Sequence, residues 1–278
     1  MEYFALYGGI GRELEFDFFD GVQESVQRHF VREFGRSAEY LEPGYLREDP
    51  YRRLLTALAR GDGKMLGAFR RAGLSESAGG AVLHRLVEAG TLRLEHSREA
   101  PVRPVPGRPI RKELRGYRIQ DKVRFVRPFD RFWFGFVEPF ASRLERGEEG
   151  EFLEYFLRHR ERAGSLIFEQ LSNDLLARRF ADSDPLLSRG SHWDYRNEFD
   201  LLAVTRSGRI IVGECKYSGR PVCGGELKKL REKAEASGIR ADRFALFARS
   251  GFSRELREHP PSDLMLFELE DYRELLEE

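Results

Sequence analysis

Hydrophobic and polar positions follow helical spacing in three short runs between residues 51 and 90. The runs are YRRLLTALARG, KMLGAFRRAG and SESAGGAVLHRLVEAG, and each ends at a glycine, as helix C-termini often do. Ser75 stands at the N-cap position of the third run. An alternating strand, TLRLEHS, then a basic proline-rich loop and a second strand, LRGYRI, come next. This order predicts a winged-helix domain over residues 51–128.

The flanking segments follow other patterns. The short apolar run from Tyr3 to Tyr7 predicts a strand, and a helical pattern follows from about Gly21 to Phe34. Residues 1–50 are therefore expected to form a small, mainly helical segment. The aromatic-rich stretch 129–160, which includes RFWFGFVEPF, is expected to be a helical connector whose aromatic side chains form a core between domains.

Residues 161–278 alternate between helical and strand patterns, which predicts an α/β domain with a mixed sheet flanked by helices. Helices are expected at about 163–180, 225–237 and 252–258 and at the C-terminus, and strands near 186–193 and at 199–205, 209–216, 242–249 and 263–269.

The loop between two of these strands predicts how they pair. Arg206-Ser207-Gly208 joins NEFDLLAVT to IIVGECKY. A three-residue hairpin loop with glycine last is favoured because that position takes a left-handed backbone conformation. Thr205 then faces Arg209, and the same register places Asp200 directly opposite Glu214.

The end of the second strand is unusually polar for a core strand. Side chains alternate between faces, so Glu214 and Lys216 share one face and Cys215 enters the core on the other. Asp200 and Glu214, about 5 Å apart at Cβ, would repel each other. A shared proton, the neighbouring Lys216 or a divalent cation would each offset this repulsion. Two acids and a lysine also suit phosphodiester hydrolysis assisted by Mg²⁺ or Mn²⁺, in which the lysine orients water or stabilises developing charge.

Asp200, thirteen residues and then Glu214-x-Lys216 resemble the signature of the PD-(D/E)xK nucleases, here without a proline before the aspartate. The resemblance implies a restriction-endonuclease-like core of helix, three strands, helix and strand. It also implies a further metal-binding acid on the first helix, for which Glu169 is the candidate. Asp200, Glu214 and Glu169 would then hold the metal, and Lys216 would assist the water. An exposed helix acid at 169 and an ion pair between Glu198 and Lys216 are the simpler alternatives.

A second resemblance covers nearly the whole chain. The ordered segments YGGIG, YRRLLTALARGDGK, YRIQDKVRFVRPF, GSLIFEQL, HWDYRNEFDLLAV and VGECKY are similar to the archaeal-type ATPase family. This resemblance implies a lid remnant at 1–50, a winged helix at 51–128 and a nuclease-like domain at 161–278. The phosphate-binding sequence G-x-x-x-x-G-K-[ST] does not occur, so no ATPase activity is expected. A separate ATPase chain or self-association is an expected partnership.

Positive and negative charges balance over the whole chain, but they are unevenly distributed along the sequence. The formal net charge is +0, whereas the stretch from Arg98 to Arg127 holds ten basic and three acidic residues. Such a basic loop is typical of phosphate contact, with Arg103, Arg108, Arg111 and Lys112 as candidates for binding nucleic acid, DNA being favoured. A solvated loop is the alternative. Because the third helix offers few groups that read bases, backbone contact is expected more than sequence readout.

The remaining features narrow the class of protein. The N-terminus lacks the pattern of a signal peptide, and no apolar run is long enough to cross a bilayer, so a cytoplasmic protein without a membrane partner is expected. Two cysteines are too few for a disulfide framework. Two functions stay open at this point: a metal-dependent nuclease, or an inactive nuclease-like domain that serves as a DNA-binding or assembly module.

Overall fold

The computed structural model describes residues 1–11, 14, 16, 20–99, 109, 112 and 115–276. The chain divides into two compact units. The first comprises Met1–His96 and Gln120–Ala163, and the second comprises Ser97–Ile119 and Gly164–Glu278. Within the described ranges, no helix combines the length and apolar character that a membrane crossing requires.

The first unit is mainly helical. Its α-helices are α1 Glu2–Tyr7, α2 Val22–Gln27, α3 Phe34–Ala38, α4 Tyr51–Ala59, α5 Met65–Arg71, α6 Glu76–Glu88, α7 Pro128–Phe132, α8 Ala141–Leu144 and the first part of α9 Gly150–Phe180. π-Helical turns lie at Arg28–Arg32 and Trp133–Val137, and 3₁₀ turns lie at Gly44–Arg47 and Glu138–Phe140. Strands β1 Leu92–Glu95 and β2 Lys122–Phe125 form an antiparallel pair.

The predicted sequence of three helices and two strands is present at α4 to β2, but one strand was placed wrongly. The second strand is Lys122–Phe125, and residues 115–119 of LRGYRI are not a strand. Val123 and Phe125 stand at alternate positions of this strand and are both buried, which explains why Lys122–Phe125 pairs with β1. Lys122, on the opposite face of the strand, is buried as well. The predicted cap is confirmed: Ser75 Oγ accepts a hydrogen bond from Ala78 N at 3.2 Å.

The strand predicted for Tyr3 to Tyr7 is wrong, since these residues belong to the helix Glu2–Tyr7. Tyr3 and Tyr7 lie one helical turn apart, with ring centroids 6.2 Å from each other. The Tyr7 ring stacks on Phe30 at 5.4 Å, and its hydroxyl is 2.8 Å from Ser25 Oγ. Tertiary packing of one helical face therefore overrides the strand propensity of a short aromatic run.

One hydrophobic core runs through the first unit, from Leu6 to Ala163. The aromatic residues of the connector belong to this core: Phe129, Phe132, Trp133, Phe134, Phe136, Phe152 and Phe156 are all buried in it. They pack against Phe30 and Phe34, whose rings lie 4.9 Å from Phe132 and 5.4 Å from Trp133. The connector aromatics thus complete the core of the first unit.

The second unit has a mixed five-stranded sheet flanked by helices, as predicted for an α/β domain. After α9 come β3 Leu186–Ser188, β4 His192–Trp193, β5 Glu198–Phe199, β6 Leu201–Thr205, β7 Ile210–Lys216, α10 Gly224–Ala236, β8 Arg243–Ala248, α11 Arg254–Glu258, β9 Leu264–Glu268 and a 3₁₀ helix at Leu269–Leu276. The sheet order is β3-β6-β7-β8-β9, antiparallel up to β7 and parallel beyond it. Strands β4 and β5 form a separate small hairpin.

Candidate functional site

The β6–β7 hairpin has the register predicted from its loop. Leu201 pairs with Gly213 and Val204 with Ile210, and Thr205 N donates to Arg209 O at 3.0 Å. Gly208 has a φ of +87°, the left-handed conformation that the prediction required. Continued by one residue, the same register sets Asp200 across from Glu214.

Asp200 lies in a bend between β5 and β6 and is hydrogen-bonded to residues of both β7 and α9. Its Oδ2 accepts a hydrogen bond from the backbone N–H of Cys215 at 2.7 Å. Its carbonyl oxygen accepts a bond from Asn173 Nδ2 on α9 at 3.3 Å. The carboxylate is therefore fixed against β7 by a backbone donor, which a substitution at Cys215 would not remove.

Helix α9 brings Glu169 and Asn173 to the same place. Asn173 Nδ2 also donates to Glu169 O at 2.9 Å, while its buried Oδ1 has no partner within the described part of the chain. Asn173 was not predicted from the sequence, although its position four residues after Glu169 on one helix face is a signal that could have found it. An unsatisfied buried acceptor next to Asp200 is available for a cation or a water.

The pKa of Asp200 depends on burial and on two neighbouring acids. Burial, followed by the charges of Glu169 and Glu214, raises the pKa of Asp200 from 3.8 to about 8. The Cys215 N–H and the Lys216 ammonium act in the opposite direction. The charges of Glu169 and Glu214 thus both affect the pKa of Asp200. A buried carboxyl that is protonated near neutral pH is a site that a cation can stabilise.

Glu214 lies between two lysines. Its carboxylate is only 12% exposed, with Oε1 2.9 Å from Lys216 Nζ and Oε2 3.0 Å from Lys233 Nζ. Lys216 also contacts Glu226 Oε2 at 3.2 Å, and Glu226 Oε1 contacts Lys229 at 2.6 Å. A chain of alternating charges therefore runs from β7 onto the facing side of α10.

Lys233 and Glu226 were missed in the sequence, and Lys229 had been interpreted as part of a solvated face. Together they occupy positions i, i+3 and i+7 of α10, which share a face. The spacing was visible, but the same spacing occurs on many solvated helices. Lys228, the neighbour of Lys229, is exposed and lies 3.9 Å from Glu232.

Lys216 remains an ammonium group in this setting. Burial lowers its pKa, but hydrogen bonds and charge attraction from Glu214 and Glu226 outweigh burial, so that the net shift is upward. Lys216 can therefore donate hydrogen bonds and stabilise negative charge, and it is a poor general base. On the opposite face, burial first and the Asp200 charge second raise the pKa of the Cys215 thiol, so this cysteine is an inert core residue.

The donor chemistry of the site fits a hard divalent cation, because Asp200, Glu214 and Glu169 supply carboxylate oxygens. In the described residues, however, no set of three or more histidine, cysteine, aspartate or glutamate side chains is arranged to hold a metal ion. Glu214 accounts for part of this, because each of its oxygens already contacts a lysine. A cation bound there would share this carboxylate with the two lysines, because each oxygen keeps a second lone pair.

A pH dependence follows from the raised pKa of Asp200. Folding favours the protonated acid, so its unfavourable contribution is absent below about pH 4, grows up to about pH 8 and is constant above. Asp200→Asn keeps an acceptor for Cys215 N–H but cannot ionise. In chelator, the stability of this variant relative to wild type is expected to rise by about 1–3 kcal/mol between pH 5 and pH 8.5. Urea unfolding at several pH values measures this, and a pH-independent difference would contradict it.

The four predicted nucleic-acid contacts belong to a loop that is described only in part. Arg103, Arg108 and Arg111 lie outside the described residues, and Lys112 is exposed. The described ends of the loop belong to the second unit and form hydrogen bonds within it. Arg98 donates to Leu202 O at 3.5 Å, and Glu99 accepts bonds from the hydroxyl of Tyr117 at 2.5 Å and from the backbone N–H of Tyr195 at 3.3 Å.

Comparison with known proteins gives one match. A family model, DUF234, described as archaeal and bacterial proteins of unknown function, matches residues 133–236. The matched segment contains Glu169, Asp200, Glu214, Lys216 and Lys233. No curated protein and no solved structure matches the chain.

Proposed function

We propose that this protein is a DNA-binding, metal-dependent nuclease of the PD-(D/E)xK type, which hydrolyses phosphodiester bonds. The observation that carries the proposal is the placement of Asp200. Asp200 is half-buried, its carboxylate is held by the backbone of β7, and Glu169 and Glu214 raise its pKa, with Lys216 next to Glu214. A carboxyl whose pKa is raised by burial and by two neighbouring acids, close to an ammonium group, is typical of a catalytic site.

The element order supports the same proposal. Helix α9, strands β3, β6 and β7, helix α10 and strand β8 occur in this order along the chain, with the β4–β5 hairpin between β3 and β6. The four strands are neighbours in the sheet in the same order. This is the order of helix, three strands, helix and strand expected of a restriction-endonuclease-like core. In the first unit, α4 to α6 with the β1–β2 pair supports a winged-helix assignment.

The residues of the site have separate roles in this proposal. Asp200, Glu214 and Glu169 would hold Mg²⁺ or Mn²⁺, which when bound polarises the phosphate and makes a water molecule more acidic. The backbone N–H of Cys215 holds the Asp200 carboxylate in one orientation. Lys216 donates hydrogen bonds to the attacking water or to the phosphate oxygens, and Glu226 keeps its ammonium near that position.

The basic loop is proposed to contact the DNA backbone. Replacement of Arg103, Arg108, Arg111 and Lys112 by alanine is expected to weaken binding similarly for all sequences. The slope of log affinity against log salt should fall by roughly 0.9 for each lost phosphate contact. Fluorescence anisotropy at several salt concentrations measures both quantities. If affinity and slope are unchanged, the loop is solvated and makes no DNA contact.

A second function is favoured by one observation. The contacts of Glu214 with Lys216 and Lys233 satisfy this carboxylate without a cation, as in a nuclease-like domain that serves as a DNA-binding or assembly module. Incubation of the protein with plasmid, linear and single-stranded DNA, in Mg²⁺, Mn²⁺ or chelator, decides between the two. Cleavage only with a cation supports the nuclease. Binding without cleavage on every substrate supports the module.

A further inference from the structure

A pocket in the first unit collects four arginines. It has a volume of about 530 Å³, and it is formed by α4, the end of α5 and the 3₁₀ turn Glu138–Phe140. The lining residues are Arg52, Arg53, Thr56, Ala57, Arg60, Arg71, Glu138 and Pro139. One carboxylate among four guanidinium groups leaves the lining with an excess of positive charge.

Three of the arginines come from α4 and its end. Arg52 and Arg53 lie on α4 and Arg60 follows its last residue, and all three border the pocket together with Thr56 and Ala57. Arg52 and Arg53 both contact a single carboxylate, that of Asp49, at 3.1 and 3.2 Å. Because one carboxylate is divided between two guanidinium groups, each keeps donors for another anion.

Contacts at the edges of the pocket hold the other groups in place. Arg71 donates to Ala57 O at 3.4 Å and lies 3.9 Å from Asp62. Arg60 lies over the Tyr155 ring at 5.6 Å. Glu138, at 6% exposure, accepts a bond from Trp133 Nε1 at 2.8 Å. Arg52 is 4.0 Å from Glu138, so this buried acid helps to orient one arginine.

We infer that this pocket binds a phosphorylated small molecule of nucleotide size. Planar guanidinium groups bind phosphate oxygens through two parallel hydrogen bonds, and several of them are needed for a di- or triphosphate. The volume lies within the range of small-molecule pockets. Arg52, Arg53 and Arg71 are 46–48% exposed, so their donors can reach a ligand that enters from solvent.

This inference does not depend on the proposed nuclease site. The lining residues all belong to the first unit, whereas Asp200, Glu214 and Lys216 belong to the second. No divalent cation is required, because the arginines supply the positive charge. The sequence pattern YRRLLTALARG, used above only to predict a helix, provides most of the lining.

The test is isothermal titration calorimetry in chelator, so that the carboxylate site does not contribute. The probes are ATP, ADP, inorganic tripolyphosphate, adenosine and a single-stranded oligonucleotide. The test variant is Arg53→Ala/Arg71→Ala. The control is Arg36→Ala/Arg146→Ala, which removes two arginines of similar exposure, each paired with a nearby glutamate in the same unit.

Binding of ATP, ADP or tripolyphosphate, with adenosine inactive, is the expected result. The test variant should weaken this binding at least 10-fold and the control less than 2-fold, with unchanged melting temperatures. Tighter binding of nucleotide than of tripolyphosphate would show that the nucleoside is also recognised, and equal binding would assign the affinity to phosphate alone. Absence of binding at millimolar ligand, equal effects of the two variants, or binding of the oligonucleotide alone would overturn the inference.

Discussion

Asp200→Asn is expected to reduce cation-dependent DNA cleavage at least about 100-fold and to remove most of the stabilisation that Mg²⁺ or Mn²⁺ gives to the wild type. The amide can still accept the hydrogen bond of Cys215 N–H, so the fold should be kept. It carries no charge, so it is a poor ligand for a hard cation. The two effects should therefore appear together.

We expect Mg²⁺ or Mn²⁺ to raise the melting temperature of the wild-type protein. A cation that binds only the folded protein stabilises it, by about 2.7 kcal/mol at 100 times the dissociation constant. For a chain of this size, each kcal/mol corresponds to about 2–4 °C in melting temperature. Calorimetric scans in Mg²⁺, Mn²⁺ and chelator, next to a plasmid nicking assay, measure stabilisation and cleavage on the same samples.

Asp263→Asn is the matched control for this experiment. Asp263 is an aspartate of the same unit that contacts Arg231 at 2.7 Å and has no contact with the acids around Asp200 among those described. It should keep both the cation response and the cleavage of the wild type. If Asp200→Asn keeps them as well, Asp200 is not a metal ligand and the nuclease proposal loses its main support.

The geometry of the hairpin was predictable from the sequence because a local rule determines it. A glycine at the last position of a three-residue loop permits one register, and Gly208 adopts the conformation that this register needs. Two strands of clear hydrophobic character then place Asp200 opposite Glu214 without any tertiary information. The register alone therefore brings three of the candidate residues close together, namely Asp200, Glu214 and Lys216.

Residues that depend on tertiary packing were not predictable in this way. Asn173 reaches Asp200 only because α9 packs on that side of the sheet, and Lys233 reaches Glu214 only because α10 packs on the other. Neither packing angle is encoded in a local pattern. The same reason explains the wrong strand at Tyr3 to Tyr7, where packing against Phe30 selects a helix.

The strand that follows β1 was placed wrongly for a different reason. Strand β2, Lys122-Val123-Arg124-Phe125, alternates polar and apolar residues and buries Val123 and Phe125. Residues 115–119 are not a strand, although Tyr117 and Ile119 also stand at alternate positions. The sequence therefore offers two short segments of similar pattern, and the structure shows that Lys122–Phe125 is the one that pairs with β1.

The two lysines that contact Glu214 make it possible to distinguish a catalytic role from a purely structural one. Lys216 and Lys233 are equally exposed, at 32% and 33%, and lie 2.9 and 3.0 Å from the two oxygens of the same carboxylate. They lie on different elements. Lys216 is on β7, two residues after Glu214, whereas Lys233 is on α10 and also donates to Glu198 O at 3.2 Å. Only Lys216 has the position relative to Glu214 that the proposed chemistry needs.

Lys216→Ala is expected to lower cleavage by about 100–1,000-fold, as the loss of one donor to a developing negative charge does in other enzymes. Its cation-dependent stabilisation should remain or increase, because Glu214 loses a competing positive charge. Lys233→Ala should change the cation response in the same direction, since it frees the other oxygen of Glu214, but cleavage should stay within a few-fold of wild type. Single-turnover cleavage and melting scans of both variants give the four values. Equal loss of cleavage in the two would mean that the lysines act only by pairing with Glu214, and Lys216 would then have no catalytic role of its own.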